Sequence, residues 1–360
     1  MLRDLPEHLI ENALVELKKS DLPVFIFGGE KLARKIKFFL DEKDIKVNGF
    51  LINKKFWKKE ISYLYGCPVY ILEDFFEENI CNLIIAFAGY EEIQLAKYGD
   101  KINKLYVLDF IGALCMEDYY SSISKEFYVE NKKNWLWLEE HLYDEKSIQS
   151  LEEFIMQRMS GIYKKEIYEM DQYFPNDIIE LKEEEIFVDC GAYHGENTVD
   201  FINCLKEKGI KNYKKIYCIE ADQKNVKEMK KVLEQYERIE IICAGVWNEE
   251  GTMTMDSGYE RTSRISADGT EKVNVKTIDT ILDNKEATFI KMDIEGSEIN
   301  ALYGAEKTIL KYKPKLAICL YHKPEDLIEI PKYIYSLRKD YQFYIRNHSP
   351  YGIETVLYAV

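Results

Sequence analysis

Asp189-Cys190-Gly191-Ala192-Tyr193-His194-Gly195 follows the apolar run Ile186-Phe187-Val188 and leads into Glu196-Asn197-Thr198. An apolar run ending in an acid, a turn with two glycines and an amphipathic start read as strand, tight loop and helix. Gly191 and Gly195 let the backbone come close to a ligand, and the new helix offers unpaired N–H groups at its start. Further polar residues stand where later apolar runs end: Glu220-Ala221-Asp222, then Asp293-Ile294-Glu295-Gly296-Ser297-Glu298, then Tyr321-His322. A carboxylate at Glu220 can accept hydrogen bonds from both ribose hydroxyls and would repel a phosphate, so it favours an adenosine-like ligand with free hydroxyls. The exposed helix-capping role fits Asp222 better. Ala244 and Gly245 are small enough for an adenine ring to lie against backbone, although a tightly packed turn needs the same residues. Alternation puts Lys291, Asp293 and Glu295 on one side of an extended segment. Three acids at a helix start concentrate charge as a site does, though acids also stabilise helix N-termini. His322, with an ordinary pKa of about 6.5, is suited to moving a proton.

The elements that must position these residues alternate. Strands are expected at 185–190, 215–219, 239–243, 287–293, 315–321, 342–346 and 354–360, with helices at 196–208, 222–235, 296–312 and 325–338. Runs at 252–255 and 273–275 read as an inserted hairpin or edge. The last two strands are joined by a short loop with Pro350 and Gly352, so they should pair antiparallel. A mostly parallel seven-stranded sheet with an antiparallel last strand is the methyltransferase arrangement, and it differs from the all-parallel dinucleotide sheet. Ligands in open sheets of this kind lie beyond the carboxyl ends of the strands.

The first part of the chain is a second α/β unit. Pro23 to Phe27 meets Gly28-Gly29, residues 31–40 carry a helical apolar face, and further strands are expected at 47–52, 68–72, 83–88 and 105–110. Gly28-Gly29-Glu30-Lys31-Leu32 lacks the G-x-G-x-x-G spacing of a dinucleotide loop. A recognition or dimerisation module, with a homodimer formed through this domain, is the favoured reading over a ligand site. Residues 111–180 read as a helical connector, and its segment from Asp171 to Asp177 as a linker packing its aromatics or a loop over a ligand. The expected domains are therefore 1–110, Rossmann-like; 111–180, connector; and 181–360, the main sheet.

The 49 Lys plus Arg against 64 Asp plus Glu leave a net charge of −15, which opposes attraction to nucleic acid or anionic lipid. The run from Lys54 to Lys59 reads as a solvated loop. Eight cysteines without a CxxC pair behave as small hydrophobes of a reducing compartment. No basic leader with an apolar core and no apolar run of membrane-spanning length occurs, so neither signal peptide nor membrane span is expected and a cytoplasmic location follows.

VDCGAYHGENT, CIEAD, AGVW, VKTIDTIL, FIKMDIEGSEINALYGAEKTIL and PKLAICLYHKPEDL, in that order, resemble the FkbM family of S-adenosylmethionine-dependent methyltransferases over roughly residues 173–360. The D-x-E-G-x-E run at 293–298 is the most distinctive piece. Tyr193 stands where the family's loop usually has asparagine. The N-terminal unit is similar to Rossmann-like modules fused to sugar-modifying enzymes. The resemblance implies O-methylation of a hydroxyl on a sugar, glycan or secondary metabolite, with S-adenosylmethionine held by Asp189, Gly191, Gly195, Glu220 and Asp293. Ala192, Tyr193, Ala221, Ala244 and Gly245 complete the expected cofactor contacts. For catalysis, His322 is expected as the base, with Asp293, Glu295 or Glu298 as alternative bases or sugar-orienting groups and Glu295 favoured for gripping acceptor hydroxyls. No second convergent ligand motif accompanies the acids, so no metal is expected. The rival readings are a NAD-dependent sugar-modifying oxidoreductase, whose glycine spacing fails in both loops, and a noncatalytic nucleotide- or sugar-binding protein.

Overall fold

A computed structural model describes residues 9–58, 61–86, 95, 97–106, 123–160, 168–257, 263–265, 269, 271–349 and 354–360. The chain divides into two compact units. One comprises Met1–Leu136, Gln149–Tyr168 and Ser349–Ile353, the other Trp137–Ile148, Glu169–His348 and Glu354–Val360.

The first unit is built on β1 (Val24–Phe27), β2 (Val47–Ile52), β3 (Tyr63–Leu64), β4 (Cys67–Ile71), β5 (Cys81–Ile85) and β6 (Ile102–Tyr106), in the order β3-β4-β2-β1-β5-β6. All pairs are parallel except β3 with β4. β1 and β5 are buried along their whole length, as the apolar run VFIF requires of a strand covered on both faces, and the one polar residue of CNLII, Asn82, is hydrogen-bonded to Ser20 and the Leu22 carbonyl. The expected strands at 83–88 and 105–110 begin two to three residues earlier, at Cys81 and Ile102, and residues 87–88 and 107–110 lie outside the described residues. In the connector, helices run over Lys125–Glu130, Lys132–His141 and Glu145–Ser160.

The second unit holds β7 (Glu185–Cys190), β8 (Tyr213–Glu220), β9 (Ile239–Cys243), β14 (Phe289–Met292), β15 (Lys315–Cys319), β16 (Phe343–Asn347) and β17 (Thr355–Ala359). Their order is β16-β17-β15-β14-β7-β8-β9. β17 runs antiparallel to both β15 and β16, as the short joining loop requires. The runs around 252–255 and 273–275 form more than a hairpin. β11 (Gly251–Ser257) pairs antiparallel with β13 (Glu271–Lys276), and β10 (Gly245–Val246) and β12 (Ser263–Ile265) complete a separate four-stranded sheet. The helix expected over 296–312 is two helices, Glu298–Tyr303 and Glu306–Tyr312. Gly304 at the break lies so close to the Trp247 carbonyl oxygen that a side chain there would overlap it.

The core beneath the site is aromatic. Phe187 on β7 stacks on Phe201 of the helix Glu196–Glu207 with ring centroids 4.5 Å apart, and Phe289 on β14 packs beside them at 5.2 Å from Phe187. Phe174, from the segment ahead of β7, packs on all three rings. That contact anchors residues 171–177 to this unit and fixes its neighbour Tyr173.

Candidate active site

The chain leaves β7 for β8 and β9 on one side and returns through β14 and β15 on the other. The strand order therefore reverses between β7 and β14, and a crevice opens at their carboxyl ends. Register decides what stands there. Asp189 on β7 is the direct neighbour of Lys291 on β14, so both side chains share a face of the sheet. Their charged groups lie 3.0 Å apart with no exposure. Thr198, one turn into the following helix, donates its hydroxyl to Asp189 Oδ2 at 2.8 Å. Lys291 also donates to the carbonyl oxygens of Gly191 at 2.8 Å and Cys190 at 3.3 Å. Burial lowers the ammonium's pKa, but the charges of Asp189 and Asp293 outweigh it and hold the group above its ordinary value. Asp189 thus acts through the loop's shape, which Lys291 ties down from below.

Gly191 has φ 76°, and a methyl group on it would overlap the Asp293 carbonyl oxygen. Only glycine lets the first loop and the turn after β14 approach this closely. Tyr193, at φ 47°, donates its backbone N–H to Glu220 Oε2 at 3.0 Å, while Asp222 N–H reaches Glu220 Oε1 at 2.8 Å. Burial pushes the Glu220 carboxyl above its usual range, and these backbone donors oppose the push. The Asn225 side chain donates to the same carboxylate, whose two oxygens still have capacity for a ligand hydroxyl. Asp222 caps the helix Gln223–Leu233 by accepting Lys224 N–H. Ala192 is buried, Gly195 caps the helix Glu196–Glu207, and Ala221 follows Glu220 at the rim. Tyr193 and His194 stack ring on ring with centroids 3.7 Å apart. Ala244 is buried and donates to the Glu220 carbonyl, and Gly245 packs toward Ile265 and Val275 of the small sheet. The packed-turn reading therefore accounts for Gly245 on its own.

Beyond β14 the extended segment stops at Met292. Glu295 (φ 54°) and Gly296 (φ 87°) turn the chain, so Glu298 comes back toward the residues it would otherwise leave behind. Asp293 accepts the Tyr173 hydroxyl on Oδ2 and the Tyr321 hydroxyl on Oδ1, each at 2.9 Å. Burial would raise the Asp293 pKa, but Lys291, His322 and the two hydroxyls together bring it below the ordinary carboxylate value. His322, beyond β15, has Nδ1 3.0 Å from Glu298 Oε1 and Nε2 3.6 Å from both Asp293 Oδ1 and Glu295 Oε2. Burial opposes its protonation, yet Glu298, Glu295 and Asp293 prevail and raise its pKa to about 10. His322 is therefore an imidazolium at neutral pH. Residue type and strand end had suggested this ring as the base, and the structure sets three carboxylates around it.

Sequence reasoning missed Tyr173, Tyr321 and the pairing of Lys291 with Asp189. Tyr321 adjoins His322 and Lys291 alternates with Asp293, so both carried a weak signal. Tyr173 carried none, since its partner is 120 residues away. Asp293, Glu298 and His322 each offer a potential ligand atom within 4.8 Å of the others.

In the N-terminal unit the Gly28-Gly29 turn is covered: a side chain on Gly29 would meet Leu64, and the Tyr65 hydroxyl donates to the Gly29 carbonyl. Glu30 caps the helix Lys31–Glu42, placing an acid where a pyrophosphate would sit. A cavity of about 580 Å³ in this unit is lined by Pro23, Asn48, Trp57, Tyr70 and Phe75 among others. Pro23 and Asn48 lie at the amino ends of β1 and β2, the wrong end for a dinucleotide.

The seven-stranded sheet with its reversed strand order and antiparallel β17 is the fold of S-adenosylmethionine-dependent methyltransferases. Residues 189–343 match the family model of the methyltransferase FkbM domain. Among solved structures it is similar to a methyltransferase FkbM from Methylobacillus flagellatus KT, at 23% identity and a TM-score of 0.72, covering 100% of this chain and 96% of that one. The shared fold thus extends through the N-terminal unit. An rRNA methylase from Streptococcus thermophilus overlaps 50% of this chain and 87% of its own at 16% identity and a TM-score of 0.33, which carries no argument about function. No curated protein matches the chain. Among the described residues, no helix is long and apolar enough to cross a membrane.

Proposed function

We propose that the crevice binds S-adenosylmethionine and that the protein transfers its methyl group to a hydroxyl of a sugar, glycan or secondary metabolite. The observation that carries the cofactor reading is the contact of Gly191 with the Asp293 carbonyl beside a Glu220 carboxylate held in place by two backbone N–H groups. The loops thereby leave a cleft with a ribose-suited acid at one end and buried negative charge at the other. S-adenosylmethionine held by Glu220 and the loop at Gly191 would supply an electrophilic methyl group on sulfur, and the residues beyond β14 and β15 would orient an acceptor hydroxyl and take its proton. Alignment of the acceptor supplies much of the rate. Glu295, with 24% of its side chain exposed, is the carboxylate placed to receive that proton, and the His322 imidazolium beside it stabilises the charged form. Asp293, clamped by two tyrosines, positions rather than reacts. The sugar or glycan acceptor is supported by the family resemblance alone.

Calorimetric titration with S-adenosylhomocysteine and with NAD tests the cofactor. S-adenosylhomocysteine is expected to bind, and Glu220→Gln to weaken it about 10-fold or more, the loss of a charge-assisted hydrogen bond. Binding of NAD alone would sink the reading. Transfer of a labelled methyl group to hydroxylated glycans tests the acceptor class, and labelling of amines with no labelling of hydroxyls would refute it.

A further inference from the structure

The turn after β14 gathers more buried acid than it has donors to satisfy. Asp293, Glu298 and His322 present ligand atoms within 4.8 Å of one another. Glu298 is fully buried; its Oε1 accepts Ile294 N–H at 2.8 Å and faces His322, while its Oε2 takes no hydrogen bond among the described residues. Asp326, in the first turn of the helix Asp326–Leu337, is 1% exposed, and its Oδ2 takes none either. A buried carboxylate oxygen without a donor is costly. A cation set among these groups would give the Glu298 Oε2 oxygen a partner.

We propose that Asp293, Glu298 and His322 form a divalent-cation site, with Glu295 at its open edge. Two carboxylates and one imidazole, which releases its extra proton as the ion binds, suit a first-row ion such as Mn²⁺, since oxygen donors favour hard ions and the ring nitrogen favours the transition series. The site is closed by Glu298 and His322 on its buried side. Asp293 and Glu295 retain 23% and 24% exposure, which leaves the outer coordination positions open to water or a bound oxygen. The site itself stands without the methyl-transfer reading, but its use rests on it. An ion here would bind the acceptor oxygen and make its proton easier to remove, the proton passing to Glu295.

The test uses the full chain, freed of metal by chelation and titrated with Mn²⁺ under electron paramagnetic resonance. One equivalent bound per chain is expected, with spin-echo modulation from an imidazole nitrogen. His322→Gln should abolish that modulation and weaken binding about 10–100-fold, and Glu298→Gln should weaken it comparably, while the surface change Glu240→Gln leaves it unaltered. As a readout that needs no variant, Mn²⁺ should slow amide exchange over residues 293–298 of the unaltered protein. Binding of less than one equivalent, the absence of nitrogen modulation or unchanged affinity in both variants overturns the site. Titration of the same samples with S-adenosylhomocysteine separates the two ideas: cofactor binding without Mn²⁺ binding sinks only the cation site, and the converse sinks only the cofactor reading.

Discussion

Lys291→Met removes the charge that holds the crevice floor while keeping a side chain of similar length. In the native protein the ammonium touches Asp189 Oδ1 at 3.0 Å, the Gly191 carbonyl at 2.8 Å and the Cys190 carbonyl at 3.3 Å, all without exposure to solvent. After substitution, Asp189 keeps the Thr198 hydroxyl but has lost its opposite charge, and two carbonyls lose their donor. Breaking a buried ion pair from one side costs about 3–5 kcal/mol, a large share of the roughly 5–15 kcal/mol that stabilises a typical domain. The effect can be read locally, without assuming that both units unfold together, from amide exchange along β7 and β14. A loss of that size should speed exchange there by about 10²–10⁴-fold. The paired variant Asp189→Asn with Lys291→Met removes both charges and should recover at least half of the loss. If the single variant speeds exchange by less than about 5-fold, or if the paired variant is no better than the single one, the pair does not hold the floor as described.

Two other expectations follow from single residues. Gly191→Ala should cost S-adenosylhomocysteine at least about 10-fold in affinity, because the left-handed backbone is strained by a side chain and the new methyl forces the loop away from Asp293. Gly209→Ala is the control, with a similar φ of 72° and nothing near its added methyl, and equal affinities in the two variants would count against the close-approach argument. The acid stability of the second unit should depend on His348. Its Nε2 accepts the Tyr358 hydroxyl at 2.7 Å, its Nδ1–H donates to the Glu169 carbonyl at 3.0 Å, and burial lowers its pKa to about 4 from an ordinary 6.5. The fold holds this ring neutral, so its contribution is complete above pH of about 6.5, falls as the pH drops and is gone below about 4, a total of about 3 kcal/mol. Denaturant midpoints measured across that range should converge for wild type and His348→Gln as the pH falls, and a constant gap between them would refute the assignment.

The sequence made the strand ends legible because each apolar run stops at an acid, a glycine or a histidine, and runs of this kind can only be interior strands. Asp189, Gly191, Glu220, Asp293 and His322 were therefore placed on one sheet edge before any distance was known. What they do to one another was less legible. The protonation of His322 depends on Glu298 returning through the turn at Glu295 and Gly296, and alternation along a straight segment had pointed only to Asp293 and Glu295. Tyr173 lay in a segment whose aromatics looked like ordinary packing. Phe174 does pack that way, but it is the packing of Phe174 that delivers the Tyr173 hydroxyl to Asp293. The break at Gly304 was hidden because its cause is the Trp247 carbonyl, brought in by a different part of the chain.

β17 lies inside the sheet, between β15 and β16, although it follows both in sequence. As the chain is synthesised, β16 therefore has no strand of this sheet to join until β17 has formed, and the β15 edge beside His322 stays unpaired for the same interval. Tyr358 on β17 also receives the Tyr173 backbone N–H at 3.0 Å, so the segment that holds Asp293 from the front is secured by the same late strand. The β15 side of this sheet is thus closed only when β17 joins, and a chain interrupted before β17 would leave the Asp293 and His322 end of the sheet without its neighbouring strand.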